Sequence, residues 1–174
     1  MNFRLITLPC LLLSVVWLFS GCGGEKFPPG MPKLYPATIT VIQDGKPLDG
    51  AGVILLNVDP STNWSVGGIT DKNGTVKLRT EGRYNGAPLG KYKVSVEKME
   101  TPDITMPGEP SSQEERKEYN RILKEMADKT FYVVDRKYAL GVSELEVEIT
   151  PTNLKLEVNV GPAVRIKLPT GSGG

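Results

Sequence analysis

The sequence contains no histidine among its 174 residues. Histidine is the commonest general base in enzymes and the commonest metal ligand, so its absence disfavours acid–base catalysis and metal binding. Net charge is also nearly absent, because 21 Lys and Arg residues stand against 20 Asp and Glu residues. A chain without a basic excess has little to attract the phosphates of nucleic acid. We therefore expect no nucleic-acid partner.

Cysteine is nearly as scarce, since Cys10 and Cys22 are the only two and both lie at the amino-terminal end. Residues 1–21 are typical of an export signal, with Arg4 supplying positive charge before an uncharged apolar run, Leu5 to Phe19. A helix of that length spans only about 22 Å, short of the ~30 Å hydrocarbon core of a bilayer. The segment therefore predicts a cleaved signal peptide for the general secretory route, with an uncleaved anchor as the alternative.

The end of this segment, Leu18-Phe19-Ser20-Gly21-Cys22, resembles a bacterial lipobox, although Phe19 stands where leucine is usual. The resemblance implies that Cys22 is joined to diacylglycerol, with fatty acyl chains such as palmitate, and becomes the mature amino terminus. Ordinary cleavage without a lipid is the alternative. With Cys10 removed and Cys22 blocked, the mature chain would have no free thiol for a disulfide, a zinc site or a nucleophile. Each buried CH₂ of the acyl chains would contribute about 0.8 kcal/mol to membrane binding.

The next segment, residues 22–34, predicts a tether between this cysteine and the folded body. It has little to bury and is rich in glycine and proline: Gly23, Gly24, Pro28, Pro29, Gly30 and Pro32. From Gly23 to Lys33 the chain reaches at most about 35–40 Å when fully extended. The following domain would therefore stay close to the bilayer. At the other end of the chain, residues 169–174 predict a flexible tail.

Between tether and tail, residues 35–168 show apolar residues at every second position, which is typical of strands with one buried face. The run from Ala51 to Val58 is almost continuously apolar and predicts a central strand. The alternation predicts antiparallel sheets stacked over one core. The strand-forming stretches are 38–41, 51–58, 91–97, 144–149, 154–160 and 164–168.

Turn residues separate these stretches. Asp44-Gly45-Lys46-Pro47 follows the first strand, and Pro151-Thr152-Asn153 separates two late strands. Asp71-Lys72-Asn73-Gly74 predicts a tight hairpin, because an Asn-Gly pair readily adopts the positive φ that such a turn requires. About seven short strands with these turns predict an all-β sandwich.

One segment, residues 113–128, breaks the alternation and predicts an inserted helix. Ser112 and Glu115 form a capping box at its start. Its apolar residues fall on one helical stripe: Tyr119, Ile122, Leu123 and Met126. We expect this stripe to pack over the edge or end of the sandwich, and an arm for docking a partner is the alternative.

Three stretches resemble transthyretin-like, carboxypeptidase-regulatory-like domains: TVIQDGKPLDGAGV at 40–53, GGITDKNGTV at 67–76 and GAPLGKYKV at 86–94. Lys137-Tyr138 with Ser143-Glu144-Leu145 is similar to a version found in small envelope lipoproteins of planctomycete-like bacteria. The resemblance covers residues 38–168 and implies a prealbumin-like antiparallel sandwich with Tyr92 buried. It implies no catalytic residue, and the helix at 113–128 departs from the compact pattern of the family.

Enzyme and metal chemistry find little support in the motifs. Purine-ring hydrolases of the transthyretin-like group use histidines and a Tyr-Arg-Gly-Ser type ending, whereas this chain ends Pro169-Thr170-Gly171-Ser172-Gly173-Gly174. The Gly-x-Ser-x-Gly motif of a nucleophile elbow does not occur. Asp71-Lys72-Asn73-Gly74 lacks the further oxygen ligands and the terminal Glu of a calcium loop. We therefore expect a non-enzyme without cofactor or metal.

Three aromatic residues, Trp64, Tyr84 and Tyr119, are the best candidates for partial exposure. Trp64 and Tyr84 lie in polar stretches, where a ring beside Asn or Arg can stack on a sugar. Closing the end of the sandwich is the alternative role for Trp64. A carbohydrate or small-ligand site at Trp64 and Tyr84 is therefore the second hypothesis for function.

The leading hypothesis is a non-catalytic lipoprotein of the cell envelope, held by Cys22 at a membrane and acting as a structural or protein-interaction module. The residue directly after Cys22 is Gly23, whereas the resemblance to an inner-membrane retention signal would require Asp at that position. The outer membrane or periplasmic face is therefore favoured. Its expected partners are the membrane, through the lipid, and an envelope protein or glycan.

Overall fold

The computed structural model describes residues 27–59 and 64–168. The predicted signal peptide, Cys22 and the tail at 169–174 lie outside these residues. The chain divides into two units, residues 1–30 and 31–174. The strands and the helix described below belong to the second unit.

The described residues form strands joined by short turns, together with one α-helix and one 3-10 turn. The strands are β1 (Thr38–Gln43), β2 (Lys46–Pro47), β3 (Gly52–Asn57), β4 (Val66–Ile69), β5 (Thr75–Lys77), β6 (Arg79–Thr80), β7 (Tyr84–Asn85), β8 (Gly90–Glu97), β9 (Met99–Glu100), β10 (Phe131–Tyr132), β11 (Glu146–Ile149), β12 (Lys155–Asn159) and β13 (Ile166–Lys167). The helix α1 is Gln113–Lys129, and the 3-10 turn is Arg136–Tyr138.

Two sheets enclose the core. The first has the order β12-β1-β2, with β5 also paired to β1, and the second has the order β11-β8-β3-β4-β6-β7. Buried residues of both sheets form one apolar cluster, which includes Ile39, Val41, Val53, Leu55, Val66, Val76, Tyr92, Val94, Val96, Leu156 and Val158. The strand alternation thus correctly predicts an all-β fold with one helix.

A third, smaller sheet lies outside this arrangement, in the order β13-β10-β9. The prediction that residues 164–168 form a core strand is wrong, because β13 covers only Ile166–Lys167 and Ile166 is exposed. Its partner is β10, which directly follows α1, and β10 contributes no member to the main core cluster.

The turn at 71–74 connects the two sheets. The Oδ1 atom of Asp71 accepts hydrogen bonds from the N–H groups of Asn73 (2.9 Å) and Thr75 (3.0 Å). Gly74 has a φ of +67° and lies so close to Val41 and Leu48 that a Cβ would come within 2.8 Å of backbone atoms. The positive φ at glycine is confirmed. The simple hairpin is wrong, because β5 pairs with β1 of the first sheet and β6 pairs with β4 of the second.

Strand direction differs from the prediction at one place, since β12 runs parallel to β1. The other strand pairs within the described residues are antiparallel. The alternation of buried and exposed residues shows which face of a strand is covered, and it is the same whether the strand runs parallel or antiparallel to its neighbour. The parallel pair therefore leaves no separate trace in the hydropathy pattern.

Tyr92 on β8 is buried, as the alternation at residues 91–97 predicts, with 1% of its surface exposed. Its hydroxyl donates a hydrogen bond to the carbonyl oxygen of Pro88 at 2.9 Å, four residues earlier. Burial raises the pKa of the Tyr92 phenol, and a hydrogen bond with the Asn57 side chain partly offsets that rise. The phenol thus connects the start of β8 to the backbone at Pro88, directly before the strand.

Helix α1 begins where the sequence predicts and ends one residue later, and both hydrogen bonds of the Ser112–Glu115 capping box are present. The hydroxyl and N–H of Ser111, with the N–H of Ser112, hold the pKa of Glu115 below its usual range. The packing of its apolar stripe is not as expected. No residue of α1 is buried, and Leu123 is 42% exposed. Capping and ion pairs along the helix, such as Lys129 Nζ to Glu125 Oε1 at 2.7 Å, support it locally.

Replacing Tyr92 by phenylalanine removes the bond to Pro88 while keeping the ring. We expect Tyr92→Phe to lower the free energy of unfolding by about 0.5–1.5 kcal/mol in urea denaturation. Tyr119→Phe on α1, outside the buried core, is the control and should change it by less than about 0.5 kcal/mol. Equal effects of the two substitutions would contradict the role assigned to the Tyr92 hydroxyl.

Candidate functional site

Of the three aromatic residues expected to be partly exposed, Trp64 and Tyr119 are half-buried and Tyr84 is not. Tyr84 is buried, with 6% of its surface exposed, so its predicted exposure is wrong. It lies in β7 directly opposite Thr80, which is fully buried, and opposite residues of antiparallel strands share a face. The ring is thereby turned inward, and the Arg83 guanidinium lies 5.4 Å from its centroid.

Trp64 is half-buried just before β4. The N–H of the next residue, Ser65, donates to Glu81 Oε1 at 2.7 Å, and the N–H of Glu81 donates to Ser65 O at 2.7 Å. These two bonds fix the backbone beside the indole. Tyr119 is half-buried on α1, in a different element. The predicted partial exposure of Trp64 and Tyr119 is thus confirmed, although the two rings do not share an element.

The largest apolar exposure on the second sheet lies on its outer face, which we call the outer strip: Ile54, Leu56, Val58 and Ile69. Val53 and Leu55 of β3 point into the core, so their neighbours Ile54 and Leu56 point outward and are each 41% exposed. Val58 is 52% exposed and Ile69, on the adjacent β4, is 73% exposed. Exposed apolar groups that cluster on one face mark contact surfaces more often than isolated ones do.

The position of β3 as a central strand is confirmed, because it pairs with β4 on one side and β8 on the other. A continuous apolar run normally indicates a strand covered on both faces. In the part of the chain that the structure describes, β3 is covered on one face only. In the sequence, this surface could have been recognised from the apolar residues at the outward positions of β3, because the outward positions of the other long strands are mostly polar.

A shallow concavity of about 650 Å³ adjoins the outer strip. Its lining includes Gly67 and Gly68 of β4. Gly67 stands opposite Ile54 and leaves the outer face without a side chain at this point, whereas Gly68 stands opposite Val53 and faces the core. A Cβ at Gly68 would lie 2.7 Å from Val76 Cγ2, and a Cβ at Gly67 would overlap the carbonyl oxygen of Val53. Packing inside the sheets therefore requires glycine here, and the open floor is a consequence of that packing.

Cationic side chains border this surface. Lys77 and Arg79 line the concavity beside Ile54 and Ile69. Across the residues with assigned positions, neither Lys77 nor Arg79 forms an ion pair. The face therefore combines an apolar centre with two cationic side chains on this side, and the Asp71 carboxylate lines the same concavity.

Charge is balanced on the opposite side of the outer strip. Lys91 and Lys93 of β8 stand opposite Glu148 and Glu146 of β11. The Nζ of Lys93 also lies 3.4 Å from Glu144 Oε2, in an exposed ion pair. Exposed pairs of this kind contribute little stability, typically well under 1 kcal/mol. They do, however, neutralise this flank.

Acidic groups that could hold a metal are dispersed. Asp71 lines the concavity, but its Oδ1 already accepts the two N–H groups of its own turn. Within residues 27–59 and 64–168, no three His, Cys, Asp or Glu side chains are grouped closely enough to coordinate an ion together.

Comparisons with protein-family profiles, with curated proteins and with solved structures find no match to this chain. Among the residues with described positions, no helix has the length and apolarity required to cross a bilayer.

The outer strip should tolerate substitution without loss of stability if it is a free surface. We expect Ile69→Thr, which keeps a β-branched side chain, to change the free energy of unfolding by less than about 0.5 kcal/mol. Leu55→Ala, on the buried face of β3, should cost about 2–5 kcal/mol. Urea denaturation of both variants makes the comparison, and a large cost for Ile69→Thr would show that this residue is packed.

Proposed function

We propose that this protein is a non-catalytic lipoprotein of the bacterial envelope, in which a lipid on Cys22 holds a β-sandwich at a membrane. The sandwich would act as a protein-interaction module. The observation that carries the interaction role is the outer strip, whose four apolar side chains are exposed beside Lys77 and Arg79. Such a face is costly to leave in water and is useful when a partner covers it.

The membrane half of the proposal is supported by the sequence. The apolar run before Cys22 is too short for a lasting span, and the small residues Ser20 and Gly21 precede the cysteine as in a lipobox. The glycine- and proline-rich segment after Cys22 suits a tether. The proposed location is the outer membrane or periplasmic face, reached by the general secretory route.

The family proposed for the domain is the transthyretin-like, carboxypeptidase-regulatory-like group, with a prealbumin-like sandwich. The two-sheet architecture around one core is compatible with it. The alternative function, a carbohydrate site at Trp64 and Tyr84, loses support because Tyr84 lacks an exposed ring face for a sugar to stack on.

The lipid anchor has a matched control within the chain. Metabolic labelling with a radiolabelled fatty acid should mark the wild-type protein and the Cys10→Ala variant equally, because the first cysteine would leave with the signal. The Cys22→Ala variant should carry no label. Labelling that persists in Cys22→Ala, or is lost in Cys10→Ala, would overturn the anchor.

The interaction role is tested with a photo-crosslinking amino acid placed at Ile69 in intact cells. We expect a discrete adduct with an envelope protein, and its loss when Leu56→Lys places a charge within the outer strip. The same probe at Thr152, an exposed residue of the turn between β11 and β12, is the control and should give no such adduct. Identical adducts from both positions would indicate nonspecific capture and reject the outer strip as the contact surface.

A further inference from the structure

The first sheet ends in an open edge at β12. The N–H of Thr38 donates to Leu154 O at 2.8 Å, and the N–H of Val160 donates to Ile42 O at 2.9 Å. In a parallel pair, alternate residues of a strand bond to the same neighbour. The residues of β12 that bond to β1 are therefore the even-numbered ones. The N–H and C=O groups of Lys155, Glu157 and Asn159 therefore point toward the free edge of the sheet, away from β1.

These outward backbone groups have no protein partner among the described residues. The side chains of Lys155, Glu157 and Asn159 are exposed, whereas Leu156 and Val158 face the core. The edges of the second sheet are less available. At β11, the carbonyl oxygen of Glu148 accepts the Asn153 side chain at 3.2 Å, and β7 has only two residues. β12 is thus the longest uncapped edge, and such an edge can pair with an added strand.

We propose that β12 pairs antiparallel with β12 of a second copy of this chain, about a two-fold axis at Leu156. Lys155 of each copy then stands opposite Glu157 of the other. Both residues carry their N–H and C=O groups on the free edge, so each opposed pair exchanges two backbone hydrogen bonds. The two pairs give four such bonds and two cross-strand ion pairs, and the sheet continues from one copy into the other.

Charge selects this register among its neighbours. Antiparallel pairing can shift only by steps that keep outward residues opposite one another. Moving the second copy by one such step in one direction places Glu157 opposite Glu157 of that copy. Moving it by one step in the other direction places Lys155 opposite Lys155. Both put like charges directly opposite each other, which is destabilising. Each of these registers would close a two-fold dimer, but only the register centred on Leu156 pairs opposite charges, and it does so twice.

The contact is small, so the dimer should be weak and should depend on protein concentration. Pairing at β12 involves the first sheet, whereas the outer strip lies on the second, so the inference goes beyond the proposed function and does not depend on it. If the lipid anchor holds, confinement to a membrane raises the effective concentration of copies and favours the dimer.

Sedimentation equilibrium of the full-length chain in detergent micelles measures the association directly. We expect Lys155→Glu and Glu157→Lys to raise the dissociation constant at least about tenfold each, because each creates two like-charged pairs. The double variant Lys155→Glu/Glu157→Lys exchanges the charges and should return to within about threefold of wild type. Lys91→Glu, which disrupts a cross-strand pair opposite Glu148 on the second sheet, is the control and should leave the dissociation constant unchanged.

Zero-length Lys–Glu crosslinking of a mixture of unlabelled and ¹⁵N-labelled chains locates the contact. Crosslinked peptides joining residue 155 of one isotope to residue 157 of the other are expected for wild type and for the double variant. A wild-type chain that stays monomeric overturns the inference. So does a double variant as weak as the single ones, or a mixed-isotope crosslink that maps elsewhere. Failure here leaves the Cys22 and outer-strip experiments unaffected.

Discussion

The structure depends on one strand segment that belongs to both sheets. Residues 75–80 pair with β1 through β5 and with β4 through β6, while Leu78 between them is buried in the shared core. The segment can enter this path only if the turn before it packs against the first sheet. Gly74 allows that approach, because any side chain there would collide with Val41 and Leu48.

The open concavity follows from the same constraint. Where residues 75–80 pass from one sheet to the other, β4 must lie against Val53 and Val76, and only Gly67 and Gly68 fit. Gly67 stands opposite Ile54 on the outer face and carries no side chain to cover it, whereas Gly68 stands opposite Val53 and faces the core. The neighbouring Ile54 and Ile69 are therefore exposed beside Lys77 and Arg79. The bare position on the candidate surface thus follows from the close approach of the Val53 backbone to Gly67.

Local signals in the sequence predict most of the fold. The capping box at Ser112 locates α1, and the alternation at residues 91–97 and 154–160 locates β8 and β12 with the correct buried faces. Pairing between distant strands is not local, so the parallel direction of β12 and the exchange of partners at residues 75–80 leave no pattern to recognise. Tyr84 shows the same limit, because its polar neighbours suggest exposure and only its pairing opposite Thr80 turns it inward.

The two open surfaces of the domain differ in what can cover them. The outer strip offers apolar side chains beside Lys77 and Arg79, so its binding free energy would come mainly from burial, which does not require one partner shape. The β12 edge offers directional backbone groups, and the sequence Lys155-Leu156-Glu157 makes it complementary to itself. One domain can therefore bind a second copy through its first sheet and leave the second sheet free. Because the surfaces lie on different sheets, occupying one does not require vacating the other, and a dimer would present two outer strips.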